Sequence, residues 1–177
     1  IHNEHVVNDL KQKGVSVYSV VNDVPDGTTV VIRTHGVGKN VYDSIQKRGL
    51  KFVDLTCPFV EKIHKIVNEQ HKKGYKIVII GDKNHPEVKG INGWCNNEAI
   101  VLYSENDEIP ENLSKNDVCI VAQTTIQKKI FVQMVQNIKN TCQTPIIFDT
   151  ICNATKERQR ETEALASESD VMLVIGG

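Results

Sequence analysis

Short apolar segments alternate with amphipathic helical segments along the chain, and this alternation constrains the fold more than any other feature. Runs rich in β-branched residues predict strands at residues 15–20, 29–33, 52–55, 76–80, 100–103, 118–122, 146–148 and 171–175. Helical periodicity predicts helices at residues 4–13, 40–48, 59–73, 127–139 and 154–167. Such alternation is typical of α/β proteins with largely parallel sheets flanked by helices. The polar segment 106–117 is expected to make a surface excursion.

Charge and hydropathy exclude several classes of partner. The formal net charge of -1 provides no strong field for nucleic acid or an anionic membrane, although a local site could still bind phosphate. No apolar run approaches the roughly 18 residues needed to span a membrane, and the first residues show no signal-peptide pattern. We therefore expect a cytoplasmic protein without nucleic-acid or membrane partners.

Two cysteines occupy equivalent positions in a repeated pattern. Residues 52–57 and 147–152 each contain an apolar strand, an aspartate, two further residues and a cysteine that precedes a charged helix. The positive end of the helix dipole favours a thiolate at that position. An isolated cysteine there would usually be a packing residue, but the matched pair indicates that Cys57 and Cys152 are metal ligands.

The remaining cysteines have other surroundings. Cys119 lies inside an apolar run, Cys95 follows a tryptophan and Cys142 lies in a polar turn, so we interpret all three as structural. Two ligands are too few for a closed iron–sulfur or zinc site. A further ligand must come from outside this chain or from histidine.

Polar residues follow three of the predicted strands. The sequences are T-H-G-V at residues 34–37, N-H-P-E at 84–87 and Q-T-T at 123–125. The carboxyl ends of parallel strands gather at one edge of a sheet, where histidine, threonine and backbone amides can bind an anionic substrate. Glu87 is a candidate proton donor, although in isolation it would be an ordinary acid at a helix start.

Other residues carry weaker signals. His5, His64 and His71 lie among charged residues on predicted helices, so we expect them to be solvated or partly packed. G-V-G at residues 36–38 follows a strand, but a complete dinucleotide or phosphate-loop motif is absent, so nucleotide binding is a weak alternative.

Six motifs together, in order and spacing, resemble the 4-hydroxy-3-methylbut-2-enyl diphosphate reductases, which are iron–sulfur enzymes of isoprenoid synthesis. They are I-H-N at residues 1–3, T-H-G-V at 34–37, D-L-T-C-P at 54–58, H-P-E-V at 85–88, A-Q-T-T at 122–125 and I-C-N-A-T at 151–155. Each motif alone is weak, whereas the six in sequence are specific. The resemblance covers essentially the whole chain.

The resemblance implies a fold, a cofactor and partners. It implies a three-lobed α/β protein whose parallel sheets surround a central [4Fe-4S] cluster, with Cys57 and Cys152 as two of three cysteine ligands. It also implies that His2, His35 and His85 line the pocket for the diphosphate substrate, that Thr124 contacts the substrate and that Glu87 leads proton delivery. The expected products are isopentenyl and dimethylallyl diphosphate, with electrons from a ferredoxin or flavodoxin.

By the same resemblance the chain is expected to be an internal fragment. The lobes are expected at residues 1–57, 58–151 and 152–177, with the first and third incomplete. The third cysteine and the serine and asparagine contacts of the diphosphate would lie outside these residues, so the 177-residue piece is expected to be inactive. The alternatives are a cluster-less α/β module that binds a phosphorylated small molecule and a scaffold lobe of a larger fusion protein.

Overall fold

The structure is a computed structural model that describes residues 4–104, 106–142 and 144–175. Its helices and strands, in chain order, are α1 (Glu4–Gln12), β1 (Thr29–Ile32), α2 (Lys39–Lys47), β2 (Lys51–Asp54), α3 (Pro58–Lys72), β3 (Lys76–Ile80), α4 (Pro86–Asn92), β4 (Ile100–Leu102), β5 (Val118–Ala122), α5 (Lys128–Thr141), β6 (Ile146–Ile147) and α6 (Asn153–Glu168). Short 3-10 helices lie in the connections at Val21–Asp23, Gly93–Cys95 and Glu111–Lys115.

Within the described residues the strands form a two-stranded sheet, in the order β1-β2, and a four-stranded sheet, in the order β4-β3-β5-β6. All of these neighbouring strands run parallel. The central pair of the larger sheet runs from Lys76 opposite Val118 to Ile80 opposite Ala122. These sheets and their flanking helices confirm the predicted α/β class.

The central strands of the larger sheet are apolar on both faces because both faces are covered. In β3, Val78 and Ile80 point into one core cluster with residues of α5, whereas Ile77 and Ile79 point into a second cluster with residues of α3 and α4. All four side chains are at most 2% exposed. A strand buried on both faces gives a continuous apolar run, which is why the sequence pattern located β3 and β5 without error.

The smaller sheet packs on α2 through a cluster that includes Ile32, Ile45 and Leu50. Two glycines, Gly38 at the start of α2 and Gly93 at the end of α4, lie where these two helices approach each other. A Cβ atom built on Gly93 would lie 2.5 Å from the Cα of Gly38, which is closer than real Cβ contacts allow. The backbone therefore approaches here as only glycine permits.

Two of the predicted strands do not form. Residues 15–20 and 171–175 have strand propensity, but in the described part of the chain no strand pairs with either segment. Val17 is 75% exposed and Leu173 is 85% exposed. Strand propensity largely reflects packing on a half-buried surface, so an apolar run without a neighbouring strand does not form a ladder.

The seven-residue helix α4 was not among the predicted helices, whereas the predicted ones agree with the structure to within two residues. The helix is short and Gly90 in its interior weakens the helical signal, whereas Pro86 at its first position is typical of a helix start. Residues 106–117 form the expected excursion, except that the fully buried Leu113 anchors a short helical turn there.

Among the described residues, no helix has the length and apolar character needed to cross a membrane. The division into lobes at residues 1–57, 58–151 and 152–177 stays a prediction.

Candidate functional site

Cys57 and Cys152 lie at equivalent points of two strand-to-helix units. Cys57 is the N-cap of α3 after β2, and Cys152 is the N-cap of α6 after β6. Both thiols are free and half-buried. Each cysteine carbonyl accepts the first helical hydrogen bond, from Glu61 N at 2.9 Å and from Lys156 N at 3.1 Å. A half-exposed thiol at the positive end of a helix dipole is well placed to act as a metal ligand.

Backbone hydrogen bonds tie each cysteine to a neighbouring polar loop. The amide of Cys57 donates to the carbonyl of Thr34 at 2.9 Å, and the amide of Cys152 donates to the carbonyl of Thr124 at 3.0 Å. Thr34 and Thr124 follow β1 and β5, the strands that pair with β2 and β6. The predicted ligand loops and the predicted substrate loops are therefore side by side.

Two histidine rings, one from each sheet's loops, are in contact at the edge of the two sheets. His35 follows β1 of the smaller sheet and His85 follows β3 of the larger sheet, and their rings meet edge to face with centroids 5.3 Å apart. The Nδ1 atom of His85 accepts a hydrogen bond from the amide of Glu87 at 3.2 Å. That bond places the proton of a neutral His85 ring on Nε2.

Glu87 is 2% exposed, and Thr124 binds both of its carboxylate oxygens. Its Oε1 atom accepts from the amide of Thr124 at 2.7 Å, and its Oε2 atom accepts from the hydroxyl of Thr124 at the same distance. An ordinary acid at a helix start would be exposed to solvent. The burial of Glu87 therefore does not fit the interpretation of this residue as an ordinary helix-start acid. The site thus extends without a gap from Cys57, through the two histidine loops and Thr124, to Cys152.

His64 is buried, which corrects the prediction that it would be solvated or partly packed. Its ring is 2% exposed and stacks on Trp94, with centroids 5.2 Å apart and planes inclined by 22°. Burial lowers the pKa of His64 to about 4, although Asp54 and Glu61 favour the charged form. The ring is therefore neutral near pH 7.

The stacked pair supports the turn that carries His35. Gly36 has a φ of +67°, and a Cβ atom built on it would lie 2.4 Å from Cε1 of His64. Trp94 donates from Nε1 to the carbonyl of Val37 at 3.0 Å. The Nε2 atom of His64 has no hydrogen-bond partner within the described residues. Sequence analysis assigned no role to this pair.

The structural interpretation of the other cysteines is confirmed by their burial. Cys95, Cys119 and Cys142 are at most 3% exposed. Burial raises the pKa of Cys95 to about 11 and that of Cys119 to about 12. Thiols this reluctant to ionise are poor metal ligands.

The other histidines singled out in the sequence lie away from this site or outside the described residues. His2 lies outside the described residues, His5 is exposed, and His71 is half-buried with its Nε2 atom 3.3 Å from the side-chain nitrogen of Asn96. In residues 4–104, 106–142 and 144–175, no group of three or more His, Cys, Asp and Glu side chains is arranged to hold a metal ion. The thiols of the two N-cap cysteines, Cys57 and Cys152, would fit part of a metal-ligand set.

Comparisons with known proteins identify relatives of the whole chain. The chain is 44% identical over 178 residues to a 4-hydroxy-3-methylbut-2-enyl diphosphate reductase of Clostridioides difficile (strain 630), covering 100% of the chain and 64% of that protein. It is 46% identical to the enzyme of the same name from Alkaliphilus oremlandii (strain OhILAs), covering 63% of that protein. The solved structure of the E-1-hydroxy-2-methyl-but-2-enyl-4-diphosphate reductase from Plasmodium falciparum aligns with the whole chain at a TM-score of 0.88, with 29% identity and 57% of that chain covered.

This chain spans less than two-thirds of the length of each of these relatives. The family described as LytB protein, however, matches residues 1–177. That match includes Cys57, Cys152 and the polar loops that lie between them in the sequence. The chain therefore belongs to the LytB protein family.

Proposed function

We propose that the protein carrying this chain is a 4-hydroxy-3-methylbut-2-enyl diphosphate reductase of the methylerythritol phosphate pathway. The reaction removes the substrate hydroxyl as water and takes up two electrons and two protons, giving isopentenyl and dimethylallyl diphosphate. The observation that carries the proposal is the continuous site between Cys57 and Cys152, which includes His35, His85, Glu87 and Thr124. The names of the relatives supply the substrate.

Cys57 and Cys152 would hold two corners of a [4Fe-4S] cluster, and a third cysteine from elsewhere would complete the set. When bound, such a cluster supplies electrons and a Lewis-acidic iron. Both thiols are accessible and lie at helix starts, whereas the other three cysteines are buried. This contrast supports the choice of ligands.

The polar loops would bind and protonate the substrate. His35, His85 and His2 would line the pocket, and the hydroxyl of Thr124 would contact the substrate. Glu87, in its protonated form, would deliver the proton through the hydroxyl of Thr124, which lies 2.7 Å from Oε2. The carboxyl proton would pass to the threonine oxygen as the threonine proton passes to the substrate. We further propose a cytoplasmic enzyme that receives electrons from a ferredoxin or flavodoxin.

Metal content tests the proposal most directly. After anaerobic purification and cluster reconstitution of the longest available reading frame, we expect about four iron and four sulfide per chain. Cys57→Ser and Cys152→Ser should each reduce that content severely, because each removes a thiolate ligand. Iron and acid-labile sulfide assays measure the effect.

Cys95→Ser is the matched control, because a serine hydroxyl can keep the hydrogen bond that the Cys95 thiol donates to the carbonyl of Asn92 at 3.3 Å. Its iron content should match that of the unmodified protein. A folded protein that takes up neither iron nor sulfide would instead support the cluster-less module for a phosphorylated small molecule.

A further inference from the structure

The aspartates of the two D-x-x-C units make the same hydrogen bond to the loop that leads to the cysteine. We call residues 55–57 the first cysteine loop and residues 150–152 the second cysteine loop. The Oδ1 atom of Asp54 accepts from the amide of Thr56 at 2.9 Å. The Oδ1 atom of Asp149 accepts from the amide of Ile151 at 3.3 Å. Each bond closes an Asx turn one residue before the cysteine.

Each cysteine loop is therefore held from two sides. The aspartate fixes the residue before the cysteine, and the cysteine's own amide is fixed by the carbonyl of Thr34 or Thr124. Together these bonds leave little freedom for the backbone that aims the thiol. A ligand set that is ordered before the metal arrives loses less entropy on binding.

The second oxygen of each aspartate has different partners. The Oδ2 atom of Asp54 accepts from the hydroxyl of Tyr42 at 2.7 Å. The Oδ2 atom of Asp149 accepts from two ammonium groups, Lys128 Nζ at 2.7 Å and Lys156 Nζ at 3.1 Å. The first cysteine loop is thus held by neutral donors, and the second by ion pairs whose side chains are between one-third and one-half exposed.

Electrostatics are consistent with ionised aspartates in both loops. Burial acts to raise the pKa of Asp54, but hydrogen bonds from Thr56 and Tyr42 outweigh it and hold the pKa below its ordinary value. Burial also acts to raise the pKa of Asp149, but hydrogen bonds from Lys128 and Lys156 outweigh it and hold the pKa below its ordinary value. Both carboxylates are therefore available as acceptors near neutral pH.

We propose that Asp54 and Asp149 are positioning residues that order the two cysteine loops before a metal binds, the first through neutral donors and the second through salt-sensitive ion pairs. Neither carboxylate needs to touch the metal or the substrate. The geometry of the loops stands independently of the proposed function, whereas the benefit to metal binding rests on it.

Amide hydrogen exchange in the cluster-free protein tests this proposal at single residues. Asp54→Ala should accelerate exchange at Thr56 and Cys57 by about tenfold, the size expected for loss of a hydrogen bond to a charged group, and leave Ile151 and Cys152 within about twofold. Asp149→Ala should give the reverse pattern. Asp54→Asn should restore protection of the first cysteine loop, because the asparagine Oδ1 atom can still accept from Thr56.

Salt provides a test that needs no variant. Raising the ionic strength from about 0.1 M to 1 M shortens the screening length from about 10 Å to about 3 Å, so it should accelerate exchange at Ile151 and Cys152 and leave Thr56 and Cys57 unchanged. Equal responses of both loops to salt, or unchanged exchange in both alanine variants, would overturn the proposal. If exchange responds as expected but the longest reading frame binds no iron after reconstitution, the reductase assignment fails and the ordering of the two cysteine loops by Asp54 and Asp149 stands.

Discussion

At the scale of single residues, the pairing of Glu87 with Thr124 is the most informative feature of the site. A buried carboxylate is costly unless its oxygens are satisfied, and here one threonine satisfies both through its amide and its hydroxyl. The hydroxyl of Thr124 lies 2.7 Å from Oε2 of Glu87, the distance that a proton relay through threonine would require. This geometry supports the proposed role of Glu87 in proton delivery through Thr124.

Glu87→Gln tests the role of Glu87 in proton transfer. The amide side chain has nearly the same shape and can still accept from the amide of Thr124, so the fold and the iron content should persist. Loss of the ionisable group should lower kcat by about 100-fold or more, with a much smaller change in KM. Steady-state kinetics on the reconstituted protein measure both constants.

An exposed acid provides the control for that variant. Glu111→Gln, in the short helical turn of the polar excursion, should leave both constants unchanged. A Glu87→Gln protein with unaltered kcat and full iron content would show that proton delivery does not pass through this carboxylate.

The positions of the candidate site residues in the fold were predictable, but the contacts between them were not. Cys57, Cys152, His35, His85 and Glu87 all lie at strand ends or helix starts, which sequence periodicity locates. The contact between His35 and His85 joins loops of different sheets, and nothing local in the sequence sets the placement of one sheet against the other. The repeated D-x-x-C pattern was visible, yet the role of its aspartates required the hydrogen bonds.

At the scale of elements, helix α3 explains why the burial of His64 was missed. Val60, Ile63, His64 and Val67 are all buried and follow the i, i+3, i+4, i+7 spacing of one helix face. The charged neighbours of His64 suggested a solvated position, although its spacing indicated the core. Helix periodicity was the better guide at this position.

A buried neutral histidine makes stability depend on pH in a defined direction. The folded-state pKa of His64 is about 4, below the ordinary value of 6.5, so between these values the unfolded chain binds more protons than the folded chain. Stability should therefore fall as the pH drops from about 6.5 towards 4, by at most about 3 kcal/mol from this residue. Chemical denaturation at a series of pH values measures the loss.

His64→Phe should flatten this part of the stability profile, because phenylalanine keeps the stacking on Trp94 and cannot be protonated. His5→Gln, which replaces an exposed histidine of α1, should leave the profile unchanged. If the slope between pH 4 and 6.5 is the same in His64→Phe as in the unmodified protein, His64 is not its source.

At the scale of the whole molecule, the two sheets meet at the edge that carries the site. The smaller sheet contributes Cys57 and His35, and the larger contributes His85, Glu87 and Thr124. Gly38 at the start of α2 and Gly93 at the end of α4 also approach each other closely. Because the two sheets each supply part of the candidate site, loss of any segment that supplies a ligand should impair cluster binding.

A polypeptide of these 177 residues alone should therefore hold a cluster poorly and show no detectable turnover of 4-hydroxy-3-methylbut-2-enyl diphosphate. Two of its cysteines, Cys57 and Cys152, are accessible, and the other three are buried. Two accessible thiols are too few for the ligand set of a cubane cluster. Anaerobic assays with a chemical reductant measure turnover, and the relative from Clostridioides difficile in the same assay is the positive control. Turnover by the 177-residue polypeptide without a complementing piece would mean that two cysteines suffice, and the proposed third ligand would have to be abandoned.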